Sequence, residues 1–320
     1  MLNILFLLGG IALLTCGGEA LIRGSLAAAK RLGVSPLLSG LVIVGFGTSA
    51  PELVVSVNAA IEGRPDIAIG NVVGSNISNI LLILGICAVI TPLAVKPLIL
   101  RRDAVTVVAA SILFLVLVGG SALGRADAAL FLIALVMYLG WAYWSERFHA
   151  APSGELHQAE AEEFSSAPKS VLWTVIAVVL GLLLLIGGSQ VLLMGAIGIA
   201  EHFDVPEAVI GLTLVAVGTS LPELSISVIA AIRRHADVAI GNILGSNIFN
   251  LLGILGVSAL LQPLPVHARI LQFDQWVMLG TSSLLLLFLY TGRCVSRLEG
   301  GILLAGYGIY VWLSFTIFSG

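Results

Sequence analysis

The chain has 320 residues, of which 58% are hydrophobic and 10% are charged, and its formal net charge is −3. A soluble domain carries about 25% charged residues, so this composition excludes an ordinary soluble protein and indicates a polytopic membrane protein. The charge is small and no basic block occurs, which argues against nucleic acid as a partner. Three scattered cysteines (Cys16, Cys87 and Cys294) do not form a disulfide framework.

Charged residues divide the chain into ten apolar runs, each close to the roughly 20 residues that a membrane-spanning helix needs. We therefore predict an all-α polytopic membrane protein with ten transmembrane helices. The predicted spans are 3–22, 37–61, 67–91, 103–122, 126–145, 170–195, 207–232, 237–261, 274–291 and 298–318. Because no Lys or Arg precedes the first run, we interpret it as a retained span and not as a signal peptide.

An internal repeat organises the chain. Residues 41–85 and 212–256 align without a gap, and 27 of the 45 aligned positions are identical. Each copy carries two motifs, which read GTSAPEL and GNVVGSNISN in the first copy and GTSLPEL and GNILGSNIFN in the second. We expect a first five-helix repeat over 1–145, an acidic linker over 146–169 and a second repeat over 170–320.

The two repeats are predicted to have opposite orientations in the membrane. The motifs fall on the second and third spans of each half, so equivalent helices are five spans apart, and an odd offset reverses direction. Inverted repeats are typical of secondary transporters, whose sites lie near the midplane between the repeats. The linker is interpreted as a solvated connection. A calcium-sensing role is the alternative, although the ligand pattern of an EF-hand loop is missing.

The basic residues predict the topology. Twelve of the fifteen Lys and Arg fall on one side of the predicted spans, and Arg64, Arg125 and Arg269 fall on the other. The positive-inside rule then places both termini outside and the 146–169 loop in the cytoplasm. We expect an integral protein of the cell membrane, either a bacterial-type inner membrane or a plasma membrane, with the lipid bilayer and inorganic cations as its partners.

Two glutamates, Glu52 and Glu223, lie inside apolar runs. A charged residue at the bilayer centre costs about 2.5–3.5 kcal/mol on insertion scales, so it indicates a function. Thr48 lies four residues before Glu52 and shares its helix face, and the same spacing links Ser75 to Asn79 and recurs in the second copy. The prolines of both GTS-x-PE motifs leave carbonyl groups without a helical donor.

Carboxylate, hydroxyl, amide and carbonyl oxygens without Cys or His suit a hard cation such as Ca²⁺ or Na⁺, and Mg²⁺ less well. A single Ser or Thr in a membrane helix often bonds its own backbone instead. Asn76 and Asn247 remain open between a site role and a cross-link between helices. A passive cation channel is a rival interpretation. An intramembrane enzyme is a weaker one, because no His-rich metal motif or Ser–base pair occurs. No cofactor is expected.

These motifs resemble those of the calcium/cation antiporter superfamily, specifically its sodium/calcium exchanger branch. The resemblance implies exchange of Ca²⁺ for Na⁺ by alternating access, with Glu52 and Glu223 as the main Ca²⁺ ligands and with the first and sixth spans sliding as a gate. The ion sites that it implies comprise the carbonyls of Gly45 and Ala216 and the side chains of Thr48, Ser49, Glu52, Ser75, Asn79, Thr219, Ser220, Glu223, Ser246 and Asn250.

One departure concerns Asn79 and Asn250. Several exchangers of this branch carry an aspartate at one of these positions, whereas here both are asparagine. The coupling ion, which is Na⁺, H⁺ or K⁺, and the stoichiometry therefore stay open. The wording GTS-x-PE favours Na⁺, because the proton-coupled branch has different motifs around its glutamates.

Overall fold

The structure is a computed structural model that describes residues 2–31, 45–94, 100–148, 170–203 and 205–316. Its helices in these ranges are α1 (Leu2–Arg31), α2 (Gly45–Gly47), α3 (Ala50–Ile61), α4 (Pro65–Ile90), α5 (Val105–Val118), α6 (Arg125–Phe148), α7 (Val171–Phe203), α8 (Glu207–Thr219), α9 (Leu221–Ile232), α10 (236–261), α11 (Ile270–Gly292) and α12 (Arg297–Thr316). Two-residue strands lie between some of them: β1 (Leu93–Ala94), β2 (Ala122–Leu123), β3 (Leu264–Pro265) and β4 (Cys294–Val295).

The predicted all-α membrane fold is confirmed. Seven helices in the described ranges are long and apolar enough to cross a membrane, and the bent pair α8–α9 makes an eighth candidate. The other two predicted spans coincide with shorter helices. Span two corresponds to α2 and α3, and its residues 37–44 lie outside the described ranges. Span four corresponds to α5, which a π-helical turn over Leu100–Ala104 precedes.

Several predicted boundaries are wrong. The first and sixth spans were expected to end at 22 and 195, but α1 continues to Arg31 and α7 to Phe203. Polar residues in these stretches were interpreted as helix ends, although a helix can project beyond the apolar layer until a breaker such as Pro206 stops it. Helix α6 likewise runs to Phe148, so it includes the first three residues assigned to the linker. The remaining linker residues, 149–169, lie outside the described ranges. Span four was expected to reach 122, but α5 ends at Val118, before a glycine pair.

The two halves contact each other reciprocally. Strand β1 of the first half pairs with β4 of the second, and β2 pairs with β3, both antiparallel. The helices follow the same rule, because α12 packs on α4 while α6 packs on α10. When an element of the first half contacts one of the second half, and their equivalents in the opposite halves make the same contact, the two halves are related by a two-fold axis. The sequence repeat is therefore also a repeat in space, and the central helices α4 and α10 lie at its core.

Helices α1 and α7 pack against each other along a seam of glycines. The seam consists of Gly10, Gly17 and Gly24 in α1 and Gly181, Gly188 and Gly195 in α7, which are seven residues apart in each helix. A Cβ atom added at any of these positions would lie within 2.4–2.9 Å of an atom of the facing helix. Small residues of this kind allow helices to approach closely in lipid, where no hydrophobic force drives them together.

Helix α7 packs more extensively on α3 than α1 packs on α9. Asn58 of α3 donates a hydrogen bond to the Ser189 hydroxyl of α7, which in turn donates to the Ile186 carbonyl at 2.8 Å. The positions related to Asn58 and Ser189 by the 171-residue repeat hold Ile229 and Gly18, which have no side-chain groups for such a bond. Ile229 is exposed on α9. The α1–α7 pair therefore lies closer to α3 than to α9.

Two buried ion pairs, Arg102–Asp103 and Arg269–Asp274, stabilise the outer helices. The two aspartates also accept hydrogen bonds of 3.0 Å, from the hydroxyls of Tyr138 and Tyr310 respectively. Through these bonds the start of α5 is joined to α6, and the start of α11 to α12. Both arginines lie outside the predicted spans, although their exposed fractions are only 3% and 4%.

The glycine seam yields a stability prediction. A Gly→Ala change inside a helix ordinarily stabilises it by about 0.5–1 kcal/mol. Gly195→Ala should instead destabilise the protein, because the new Cβ would lie 2.4 Å from the Leu7 backbone nitrogen and overpacking costs about 1–3 kcal/mol. The midpoint of thermal unfolding in detergent measures the difference.

Gly187→Ala is the matched control on the same helix, because no atom lies within 4 Å of its added Cβ. Its unfolding midpoint should stay level or rise. Equal midpoints for the Gly187 and Gly195 variants would contradict the close packing of α1 on α7.

Candidate cation site

Both glutamates lie just after a break in their helix. Thr48 and Ser49 form the turn between α2 and α3, and Ser220 separates α8 from α9, whose axes differ by 50°. A proline in the first two positions follows each break, where its missing N–H has no helical acceptor to lose. Glu52 and Glu223 then occupy the first turns of α3 and α9, where the helix dipole favours a negative charge.

Each of the two carboxylates accepts a hydrogen bond from a serine of the opposite half of the molecule. The Ser220 hydroxyl donates to Oε1 of Glu52 at 2.7 Å, and the Ser49 hydroxyl donates to Oε1 of Glu223 at 2.8 Å. Both glutamates are fully buried, and the Oε2 atom of each has no hydrogen-bond partner. A buried carboxylate oxygen without a donor is costly. Each glutamate therefore presents one free oxygen that can bind a cation.

The remaining hydroxyls extend this network between the halves. The Ser246 hydroxyl lies 3.3 Å from Oε1 of Glu223, to which it donates, and 3.4 Å from the Thr48 hydroxyl. The Ser75 hydroxyl donates to the Ala216 carbonyl at 3.3 Å. That carbonyl, a ligand in the set implied by the resemblance, thus already accepts a protein hydrogen bond in this arrangement. Gly45 begins α2.

Two asparagines outside the predicted set belong to the same network. Asn71 donates to the Ser56 hydroxyl at 2.9 Å and to the Glu52 carbonyl at 3.3 Å, and it accepts from Thr219 at 3.1 Å. Asn242 repeats this pattern with Ser227, Glu223 and Thr48. The sequence did contain a signal, because both asparagines lie in the duplicated motif at the same distance after their glutamate. Glycines beside Asn71 let α4 approach α8: a Cβ at Gly74 would lie 2.3 Å from the Leu212 carbonyl oxygen.

Amide side chains line the contact between α4 and α10. The Asn79 amide donates to Oδ1 of Asn247 at 3.0 Å, and the Asn247 amide donates to the Asn76 carbonyl at 3.2 Å. Asn247 therefore acts as a cross-link between helices, one of the two roles left open above. The Oδ1 atoms of Asn76 and Asn79, and both polar atoms of Asn250, are buried without a partner. Asn79 and Asn250 lie in π-helical segments, Asn79–Leu84 and Phe249–Ile254.

The chemistry of the site follows from its free atoms. Five of the buried acceptor oxygens that lack a donor in the described ranges belong to the repeated motifs: Oε2 of Glu52, Oε2 of Glu223 and Oδ1 of Asn76, Asn79 and Asn250. Oxygen ligands from carboxylates and amides suit hard cations. No group of three His, Cys, Asp or Glu side chains is present among the described residues, so any ligand shell built there consists mainly of neutral oxygens. The predicted hydroxyls and carboxylates of the two halves thus contact each other in the protein interior, whereas Asn79 bonds Asn247 and the Asn250 side chain has no hydrogen-bond partner.

Comparison with known proteins agrees with this geometry. The family model described as sodium/calcium exchanger protein matches residues 2–144 and 173–316, which together include most of the chain. The putative antiporter CaxA of Alkalimonas amylolytica is 40% identical over 319 residues, covering 98% of each chain. The sodium/calcium exchanger MaX1 of Methanosarcina acetivorans is 33% identical, with 98% of this chain and 99% of that protein covered.

A solved structure of the sodium-calcium exchanger NCX_Mj, soaked with 2.5 mM Na⁺ and 0.1 mM Ca²⁺, superposes with a TM-score of 0.65. Its sequence identity to this chain is 31%, and the match covers 98% of both chains. These similarities extend over the whole fold and are not limited to the motifs. The chain therefore belongs to the sodium/calcium exchanger family, a family of transporters, as the resemblance of its repeated motifs predicts.

Proposed function

We propose that this protein exchanges Ca²⁺ for Na⁺ across the membrane by alternating access. One observation carries the proposal: two fully buried glutamates, one from each half, each keep one oxygen free of any protein donor. A dication neutralises both carboxylates at once, and two Na⁺ do the same. MaX1 and NCX_Mj, which this chain resembles over its full length, are named as sodium/calcium exchangers.

Glu52 and Glu223 are the proposed main Ca²⁺ ligands, and neutral oxygens complete the sites. We include all positions implied by the resemblance: Gly45, Thr48, Ser49, Ser75, Asn79, Ala216, Thr219, Ser220, Ser246 and Asn250. Ser49 and Ser220 play a second part, since each holds the carboxylate of the other half in place. The free Oδ1 of Asn76 supports adding this residue to the set.

The proposed transport cycle moves α1 and α7 together across the remaining helices. Their glycine seam supports motion as one unit, and the closer packing of α7 on α3 supports the existence of a second arrangement in which the pair packs on α9. We further propose that the halves 1–145 and 170–320 are inverted repeats, with both termini outside and the 146–169 segment in the cytoplasm. The cell membrane is the proposed location.

The first functional prediction is obligate exchange. Two carboxylates in a cavity of low dielectric repel each other, and their charge is unfavourable there unless cations or protons neutralise it. If the empty site is this costly, the protein cannot readily change the side to which the site opens without a bound cation. It must therefore exchange one ion for another. ⁴⁵Ca²⁺ uptake into proteoliposomes should therefore require Na⁺ or exchangeable Ca²⁺ inside. Na⁺, K⁺ and pH gradients are varied separately, so that the same assay identifies the coupling ion.

Two results of this assay would contradict the proposal. Sustained downhill Ca²⁺ flux with no cation on the far side would support a passive channel. Uptake driven by a pH gradient alone, or only in the presence of K⁺, would support an H⁺-linked or K⁺-linked antiporter.

The second prediction concerns the two glutamates. Glu52→Gln and Glu223→Gln should each abolish ⁴⁵Ca²⁺ uptake, because each removes half of the formal charge that faces the dication while it keeps the side-chain shape. Neither change should lower the thermal unfolding midpoint, since each also removes a buried charge. Glu62→Gln is the control at the opposite end of α3, because Glu62 is exposed, and this variant should take up ⁴⁵Ca²⁺ normally. Near-normal uptake in either buried variant would remove that glutamate from the site.

The third prediction follows from the neutral residues at positions 79 and 250. With Glu52 and Glu223 ionised the site carries a charge of −2, which one Ca²⁺ or two Na⁺ balance. A third Na⁺ adds an uncompensated charge, at a cost of about 4 kcal/mol for unit charges 4 Å apart at an effective dielectric near 20. We expect exchange of two Na⁺ for one Ca²⁺. Asn250→Asp should increase the Na⁺ dependence or shift the coupling pH, because it adds an ionisable group.

Net ⁴⁵Ca²⁺ flux in proteoliposomes with fixed Na⁺ and Ca²⁺ gradients, measured at several imposed membrane potentials, tests this stoichiometry, because two-for-one exchange moves no net charge and its flux should not depend on the potential. Leu251→Ala, a change at a buried apolar neighbour of Asn250, is the control for nonspecific disturbance of this helix and should leave the flux independent of the potential. A three-to-one ratio in the unmodified protein would contradict the prediction. That result would mean that hydroxyl and carbonyl dipoles stabilise the positive charge of the third Na⁺.

A further inference from the structure

Asn71 and Asn242 contact residues of both halves but carry no charge and are not members of the ligand set. Each lies on a central helix, α4 or α10, and both are buried, with exposed fractions of 0% and 5%. Each uses its amide nitrogen within its own half and its amide oxygen towards the other half. An amide oxygen in this position can accept the hydroxyl proton of a neighbouring threonine. The direction of that proton decides whether the hydroxyl oxygen can bind a cation.

The orientation of the Asn71 amide is fixed by its neighbours. Its nitrogen lies 3.3 Å from the Glu52 carbonyl oxygen, which can only accept a hydrogen bond, so the NH₂ group must face it. The second N–H is directed to the Ser56 hydroxyl at 2.9 Å. A flipped amide would place two acceptors against each other at the Glu52 carbonyl. The Oδ1 atom therefore faces Thr219 at 3.1 Å and receives its proton.

This contact determines what the Thr219 hydroxyl can offer. A hydroxyl has one proton and two acceptor lone pairs. When the proton is donated to Asn71, both lone pairs are available for a cation and no O–H dipole opposes it. The Ala216 carbonyl, at 3.2 Å, and the Glu52 carboxylate are alternative acceptors for the same proton. Donation to Asn71 keeps the proton away from the carboxylate and leaves the Ala216 carbonyl with only its bonds from the Ser75 hydroxyl at 3.3 Å and the Ser220 N–H at 3.1 Å.

Asn242 has equivalent contacts in the other half, but the Thr48 hydroxyl that it faces also lies 3.4 Å from the Ser246 hydroxyl. Its nitrogen donates to the Ser227 hydroxyl at 3.0 Å and to the Glu223 carbonyl at 3.4 Å, so its oxygen again faces a threonine of the opposite half. The separation from the Thr48 hydroxyl is 3.5 Å, however, against 3.1 Å for Thr219 and Asn71. A longer hydrogen bond is weaker, so the effect should be smaller at this threonine.

We propose that Asn71 and Asn242 are positioning residues that fix the hydroxyl protons of Thr219 and Thr48, so that these hydroxyls act only as acceptors towards a bound cation. This inference rests on the proposed function of the site. It makes each half of the protein set the ligand chemistry of the other. Asn71 accomplishes this without contacting the ion.

A double-mutant cycle tests the proposal. Thr219→Val alone should weaken Ca²⁺ binding about tenfold, as expected for a hydrogen-bonding or ligand group of roughly 1.4 kcal/mol. Asn71→Ala should weaken it to a similar degree, because the released proton can then turn to the Ala216 carbonyl or the Glu52 carboxylate and occupy an oxygen that would otherwise face the ion. In the Asn71→Ala background, Thr219→Val should cost less than about twofold, since it removes the misplaced proton together with the hydroxyl. Ca²⁺ and Na⁺ affinities are measured by cation-induced shifts of thermal unfolding in detergent.

The crossed pair is the matched control. Asn71 does not contact Thr48, so the effects of Asn71→Ala and Thr48→Val should multiply. If Asn71→Ala does not fold, Asn71→Ser replaces it, because a serine keeps a polar group on α4 while it removes the Oδ1 atom that accepts the Thr219 proton. If the fold-losses in Ca²⁺ affinity of Asn71→Ala and Thr219→Val also multiply in the double variant, as they do for the crossed pair, Asn71 only joins helices and the proposal is wrong. An unmodified protein that no cation stabilises would contradict the proposed function itself, so the two failures are distinguishable.

Discussion

The arrangement depends on two carboxylates that are kept away from any fixed positive charge. In the ranges that the structure describes, neither Glu52 nor Glu223 forms an ion pair, although two arginines elsewhere in the fold are buried against aspartates. A buried charge without a partner is among the costliest features that a protein can keep. In the proposed function, transported cations compensate this charge. The buried carboxylates are also stabilised by their positions in the first turns that follow the helix breaks, and by hydrogen bonds from the two serines.

The two-fold exchange of contacts explains why the site needs both repeats. Ser49 holds the glutamate of the second half and Ser220 holds that of the first, so neither half contains a complete site. The strands at the membrane ends follow the same exchange, with β1 on β4 and β2 on β3. A duplicated chain thus gains a central site between its copies, where side chains from four helix segments converge. Glycines at Gly74 and along α1 and α7 let the helices approach closely enough for this.

Much of this was predictable because charge inside a membrane is rare and a repeat doubles the evidence. Glu52, Glu223 and their neighbouring hydroxyls stood out in apolar surroundings, and the family comparison confirms the class of protein that they indicated. Asn71 and Asn242 did not stand out, since the value of an amide depends on which partners the fold brings to it. Arg102 and Arg269 were placed outside the predicted spans because sequence gives no sign of burial. The ends of α1 and α7 were misplaced because hydropathy marks the apolar layer, whereas a helix ends only at a breaker or a cap.

The hydrogen bond from Asn58 to Ser189 has a consequence for a protein built from two equivalent halves. A perfectly symmetric carrier would populate its two orientations equally, and its ion affinities would match on both faces. The same bond cannot form when the α1–α7 pair packs on α9, because the equivalent positions hold Ile229 and Gly18. In the proposed cycle, one hydrogen bond of about 0.5–1.5 kcal/mol would bias the resting ratio of the two orientations roughly two- to tenfold. Apparent affinity scales with the fraction of binding-competent carriers on each side. On that proposal, a single asparagine makes the two faces of the exchanger kinetically unequal, while the ion gradients alone still decide the direction of net flow.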